Sequence, residues 1–233
     1  MKSIFLCLVF IFSFQLILQA QSGSNSLAML QDLNGSPLRV GNTKSVEGSP
    51  FFKSSFCEAN LITGDGAKYV NVRTKLNLQN NIVIYTKSDL DDNEFTPTVQ
   101  IKQIQFIGCS DSKGVAIFQS GFPPISKQDE SAFYQVLDSG KTKLLKYFQI
   151  DETQNAVNGL NPGAPSILLL KVEFYFVFNP LKGIQKIAKS NDDVLNYFSD
   201  KKPIIETFIT TNKLKCKREE DLIKVFNYYN SLN

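Results

Sequence analysis

The chain contains no histidine. That absence removes Ser-His and Cys-His nucleophile pairs, the HExxH zinc proteases and every imidazole acid, base or metal ligand. A strong charge of one sign is missing too. The 25 lysines and arginines stand against 22 acids, a net of +3, which is too small an excess to imply nucleic-acid or acidic-lipid binding. Long apolar runs are scarce. Ile4 to Leu18 is about 15 residues, short of the ~20 that span a bilayer as a helix. Ile167 to Phe178 is interrupted by Lys171 and Glu173. What the chain does hold is a 42% hydrophobic share with 19 phenylalanines, enough apolar material to bury a core and to exclude a disordered chain.

The first apolar run reads as a signal peptide. Met1, Lys2 and Ser3 make a short basic start, the run follows, and small Ala20 offers a cleavage point before Gln21. The expected leader is residues 1–20, with Cys7 discarded inside it, and the mature chain is 213 residues long. Such a chain is exported to the periplasm or cell envelope, or beyond it, with no membrane span in its mature part. A chain that ends in helical patterns rather than a strand also argues against an outer-membrane barrel.

Cys57, Cys109 and Cys216 remain, an odd number, so one internal pair at most can form. Their spacings, 52 and 107 residues, match no zinc or CxxC pattern. Cys57–Cys109 is the candidate disulfide; burial as small hydrophobes is the other reading.

Residues 21–50 are rich in Ser, Gly and Asn, repeat Gly-Ser-Pro at Gly35 and Gly48, and read as a loosely ordered lead-in. Beyond Phe51 the apolar period is two. Val70, Val72, Thr74, Leu76 and Leu78 share one face of a predicted strand, and Gly64-Asp65-Gly66 joins it to a strand containing Phe56 and Ile62. Seven more strands are predicted, roughly at 82–87, 99–107, 114–121, 132–137, 143–150, 167–178 and 183–188. In the 99–107 strand the apolar phase shifts between Ile101 and Ile104, which predicts a bulge near Lys102-Gln103. No helical stretch separates these strands, so parallel α/β folds are excluded.

After Ser190 the period becomes 3.6. Ser190 is the predicted cap of a short helix through Phe198, Pro203 opens a second with Ile204, Ile205, Phe208 and Ile209 as its stripe, and Glu219-Glu220-Asp221 opens a third. The expected fold is therefore α+β and mainly β. An antiparallel meander or half-open barrel of about nine strands fills 51–189, and two to three helices at 190–233 pack upon it. Residues 181–233 hold 10 basic residues and 7 acids, so the entire net charge lies in this tail.

Several short patterns imitate functional motifs. Ser139-Gly140-Lys141-Thr142 looks like the end of a P-loop, but Gln135 stands where the first glycine is needed and a strand follows, so a hairpin turn is expected. Ser110-Asp111-Ser112-Lys113 has the Ser-x-x-Lys spacing but lies between glycines and two strands. Asp89 to Glu94 alternates oxygen ligands like a calcium loop, yet lacks the glycine and the bidentate acid at the sixth and twelfth positions. Glu58 and Glu173 are the strand-borne acids that a carboxylate hydrolase would use. Lys213 to Arg218 is a basic run that fits either an anionic surface or pairing with helix ends. Phe174, Phe176 and Phe178 share a strand face and either line an apolar ligand cavity or pack as core. No metal site and no cofactor are expected.

Gly64-Asp65-Gly66 with Tyr69-Val70-Asn71-Val72, Lys75-Leu76-Asn77, Phe133 to Leu137 with Gly140 to Lys146, and Phe208-Ile209 with Asn212 to Lys215, Glu219 to Lys224 and Tyr228-Tyr229-Asn230 together resemble a family of uncharacterised exported proteins of Gram-negative bacteria. The resemblance implies an envelope location and a β-rich body ending in helices. It supplies no activity or site. The expected function is a non-catalytic binding or structural module of the cell envelope, whose partner is an envelope protein or an apolar ligand. A carrier of lipid or another apolar ligand and a carboxylate-based hydrolase are the two rivals.

Overall fold

A computed structural model describes residues 35–37, 46–87, 93–109, 114–154 and 167–232. The predicted leader, the calcium-like loop through Asp92 and the Ser110–Lys113 pattern lie outside these residues. Twelve strands are described: β1 Gly35–Pro37, β2 Val46–Glu47, β3 Cys57–Thr63, β4 Lys68–Asn77, β5 Ile82–Thr86, β6 Phe95–Pro97, β7 Ile101–Gly108, β8 Ala116–Gln119, β9 Tyr134–Asp138, β10 Lys143–Gln154, β11 Ile167–Asn179 and β12 Gly183–Ile187. Eleven form one path, β1-β6-β5-β4-β3-β7-β8-β9-β10-β11-β12, and β2 pairs with β11.

The protein is mainly β with helices near its C-terminal end, as the periodicity predicts, but the described strands number twelve rather than about nine, and two further details differ from expectation. The simple meander breaks because β7 returns to the free edge of β3, so β3 is bonded on both sides. The sheet is also mixed rather than wholly antiparallel, since Val46 and Glu47 pair in parallel with Ile167 and Leu168. The cause is length. β12 covers β11 only from Tyr175 to Asn179, and β2 takes part of the edge that this leaves bare.

Alternation explains the inner face, and bulges explain its exceptions. Val72, Thr74 and Leu76 of β4 are buried as predicted. Val70 is not, being 68% exposed, because the register slips by one residue beside Asn60 and Asn71 adopts φ 55°. One extra residue reverses the phase, and asparagine tolerates the left-handed conformation better than most residues. The predicted bulge in β7 is present: Ile62 faces Gln103 and Thr63 faces Ile101, so Lys102 is the extra residue and both Ile101 and Ile104 turn inward.

Three apolar clusters result. The first joins β3 to β8 with Phe133 and Phe148, and includes buried Phe118, whose ring lies 4.7 Å from Phe52 and 5.9 Å from Phe106. Truncating such a side chain costs about 3–5 kcal/mol. The second lies between the β10–β12 sheet and helices α1 (Asn191–Tyr197), α2 (Lys202–Thr211) and α3 (Glu219–Ser231). Ser190 caps α1 by accepting the Asp193 N–H at 3.1 Å. The third, around Phe122, Tyr134, Leu145 and Phe176, covers the opposite face of the same strands. Among the described residues no helix is long and apolar enough to cross a membrane.

Candidate functional site

A cleft in the β body lies where the β4–β5 turn meets β6, β7 and the segment before β9. Asn81 ends the turn at φ 55°, and its Oδ1 accepts the backbone N–H of Phe133 at 3.2 Å, which draws residues 131–133 against the turn. The opposite wall is fixed at β7: Ser120 is buried, its hydroxyl donates to the Ile101 carbonyl at 3.1 Å, and its N–H bonds the Lys102 carbonyl at 3.0 Å. The Gly64 N–H bonds the Gln100 carbonyl at 2.8 Å. The walls enclose a cleft of about 310 Å³, at the small end of the range for ligand sites.

Its floor is apolar, made by Ile82, Val83, Ile101 and Phe133, while Asn81, Thr96, Gln100 and Ser131 supply amide and hydroxyl groups. None of the lining residues carries a charge at neutral pH. Asp129, at the surface, bonds the lining residue Ser131, and its carboxyl is held below its ordinary value by the Ser131 hydroxyl and N–H, at 2.6 and 2.8 Å. Such a lining can desolvate an uncharged molecule and orient it through neutral hydrogen bonds. It contains no general acid or base.

The predicted site residues are placed elsewhere. Phe176 is buried and packs edge-to-face on Tyr134 with centroids 5.4 Å apart, Phe178 packs on Phe122 at 5.1 Å, and the Lys186 ammonium lies 4.1 Å over the Phe174 ring. None of the three borders the cleft. Cys57 and Cys109 are joined as a disulfide between β3 and the end of β7, with Cα atoms 4.6 Å apart. Cys216 is free and buried, and burial, followed by the nearby Asp221 charge, pushes its thiol up to about 11. Thiolate chemistry at neutral pH is thereby suppressed. Ser139 to Thr142 form the tight connection between β9 and β10.

The acids Glu58 and Glu173 are not brought together: their strands stand five places apart in the sheet. Glu173 instead meets Glu219 at the start of α3. The buried Lys146 ammonium lies 2.7 Å from Glu219 and 3.7 Å from Glu173, and the Tyr175 hydroxyl is 2.7 Å from Glu219 Oε2 and 3.1 Å from Glu173 Oε2. Burial, then the hydrogen bond to Glu219, raises the Tyr175 hydroxyl far above its ordinary value, so it serves as a donor. This cluster pins α3 to β10 and β11. One sign of it was legible: Lys146 occupies an inward position between Leu144 and Phe148, where a cation requires a partner. That Glu219 would supply it was not legible, because 73 residues separate the two.

Comparison with family models, with curated proteins and with solved structures finds no match to the chain.

Proposed function

We propose that the protein is an exported, non-catalytic binding module of the cell envelope that holds an uncharged ligand in the cleft between Asn81 and Ser131. The observation that carries this reading is the lining itself: an apolar floor, a rim of neutral amides and hydroxyls, and no acid, base or nucleophile pair among its residues. The leader-like start and the Cys57–Cys109 bridge support export, since structural disulfides persist in oxidising compartments. The hydrogen bond from Phe133 to Asn81 supports reading the sheet as a half-open barrel, because it links the β4–β5 turn to a segment 52 residues later.

The carrier reading loses its expected lining, since Phe174, Phe176 and Phe178 are occupied by ring and ammonium packing. The hydrolase reading would have to use Glu173 and Glu219, which share one lysine and one tyrosine proton. Full-length protein expressed in a Gram-negative host tests the proposal. It predicts a mature N-terminus at Gln21, recovery in the envelope or periplasmic fraction, and no turnover of ester, glycoside or peptide libraries. Cytoplasmic retention of the unprocessed chain, or hydrolysis abolished by Glu219→Gln, contradicts it.

A further inference from the structure

We infer that the cleft takes a ligand bearing a neutral carboxamide, whose N–H docks on the Val83 carbonyl; the inference rests on the reading of this cleft as the site of an uncharged ligand. The direction of the Val83 backbone follows from the bonds on the far side of β4. The Phe52 N–H bonds the Leu76 carbonyl at 2.9 Å and the Leu78 N–H bonds the Pro50 carbonyl at 2.7 Å, so Leu76 and Leu78 turn their polar groups away from β5. Asn77, between them, faces β5, where it stands opposite Ile82. Backbone direction alternates along a strand, so Ile82 and Ile84 bond β4 while Val83 and Tyr85 present their N–H and C=O towards β6. Tyr85 is met there by Phe95. Two residues further along, the antiparallel register brings Pro97 opposite Val83. Proline has no N–H to donate, and among the described residues the β5–β6 ladder is this one pair. The Val83 carbonyl is thus left without its ladder donor, and Val83, Thr96 and Pro97 all border the cleft.

The lining side chains select the occupant by what they have left to offer. Ser131 gives its hydroxyl proton to Asp129 Oδ1 at 2.6 Å, and Ser120 gives its own to the Ile101 carbonyl at 3.1 Å, so each presents only lone pairs to a ligand. Asn81 is the reverse. Its Oδ1 already accepts the Phe133 N–H at 3.2 Å, which leaves its Nδ2 to donate. The cleft therefore sets acceptors at Val83, Ser120 and Ser131 beside a donor at Asn81. A carboxylate or phosphate brings acceptors alone, and no cation lines the cleft to balance its charge. A carboxamide brings one N–H and one C=O without charge, the groups that a continuing ladder residue would have supplied. Its substituents then lie on the apolar floor of Ile82, Ile101 and Phe133. N-acetylated sugars and capped peptides both carry this group.

Titration of the mature protein, followed by NMR of its amides, tests this with two pairs of probes. N-acetylalanine methylamide is set against its form methylated on both nitrogens, and N,N′-diacetylchitobiose against cellobiose. In at least one pair the member with an amide N–H is expected to bind at least about tenfold more tightly, and which pair responds tells peptide from sugar. Pro97→Ala restores a donor opposite Val83. It should lower that affinity by about tenfold, with circular dichroism unchanged and the new amide at position 97 protected from hydrogen exchange in the unliganded chain. Equal binding within both pairs, no binding of any probe, undiminished binding by Pro97→Ala, or amide binding that Ser131→Trp leaves intact overturns the inference. The neutral-ligand reading stands or falls separately, on whether the molecule carried by the native protein is uncharged and is lost from Ser131→Trp.

Discussion

Asn230, near the end of α3, closes on Thr142 from both sides: its Oδ1 accepts the Thr142 N–H at 3.0 Å and its Nδ2 donates to the Thr142 carbonyl at 2.9 Å. The same Nδ2 donates to Asp138 Oδ1 at 2.7 Å, and that oxygen also accepts the Gly140 N–H at 3.0 Å. One amide therefore satisfies the polar groups of the β9–β10 turn. Gly140 is required for this approach, because a Cβ there would collide with the Asn230 side chain.

Removing the amide leaves these partners unpaired. Asn230→Ala is expected to destabilise the protein by about 2 kcal/mol in urea unfolding. Gly140→Ala should cost at least as much alone, yet little further in an Asn230→Gly background, where the colliding atoms are gone. Additive losses in that double-mutant cycle would show that the contact does not hold the turn.

The contrast with the sequence reading is one of range. Ser190 with its first-turn acids, Pro203 near the start of α2 and the phase shift at Lys102 are local signals, and each appears where expected. Val70 was misplaced because the bulge at Asn71 depends on pairing with β3, which the alternation of β4 alone does not reveal. The cleft and the Asn230 clamp were illegible for a stronger reason. Residues 81 and 133, or 142 and 230, meet only after the strands between them have paired and α3 has docked. Phe174, Phe176 and Phe178 were correctly placed on one face, but the pattern could not say that Phe122 and Tyr134 would cover it.

Acid should weaken the α2–α3 connection. Asp221 is 1% exposed; desolvation opposes its charge, but the Lys215 N–H at 2.8 Å and the Arg218 guanidinium at 3.0 Å outweigh this and hold its carboxyl below the ordinary value. A depressed folded value means that its contribution is present above the unfolded value of about 4 and is lost as pH falls through the folded one. Asp221→Asn should therefore lower stability at neutral pH, with the gap to the parent chain closing below about pH 4. A gap that widens in acid would reverse the assigned sign.

The Cys57–Cys109 bridge closes a span of 52 residues. By the chain-entropy relation its loss costs about 4 kcal/mol, so Cys57→Ala with Cys109→Ala should shift the urea midpoint strongly downward. In the parent chain a thiol reagent should label no site in the mature native protein and one, Cys216, after unfolding. Two further labelled sites without reductant would show that the bridge is not formed.

Native mass spectrometry of the mature protein recovered from its own envelope fraction tests the binding cleft most directly. The account predicts a bound uncharged small molecule that is lost when Ser131→Trp fills the cleft, while Phe176→Leu in the opposite packed cluster leaves it bound. Ligand retained by Ser131→Trp and lost from Phe176→Leu, or a bare chain throughout, would contradict it.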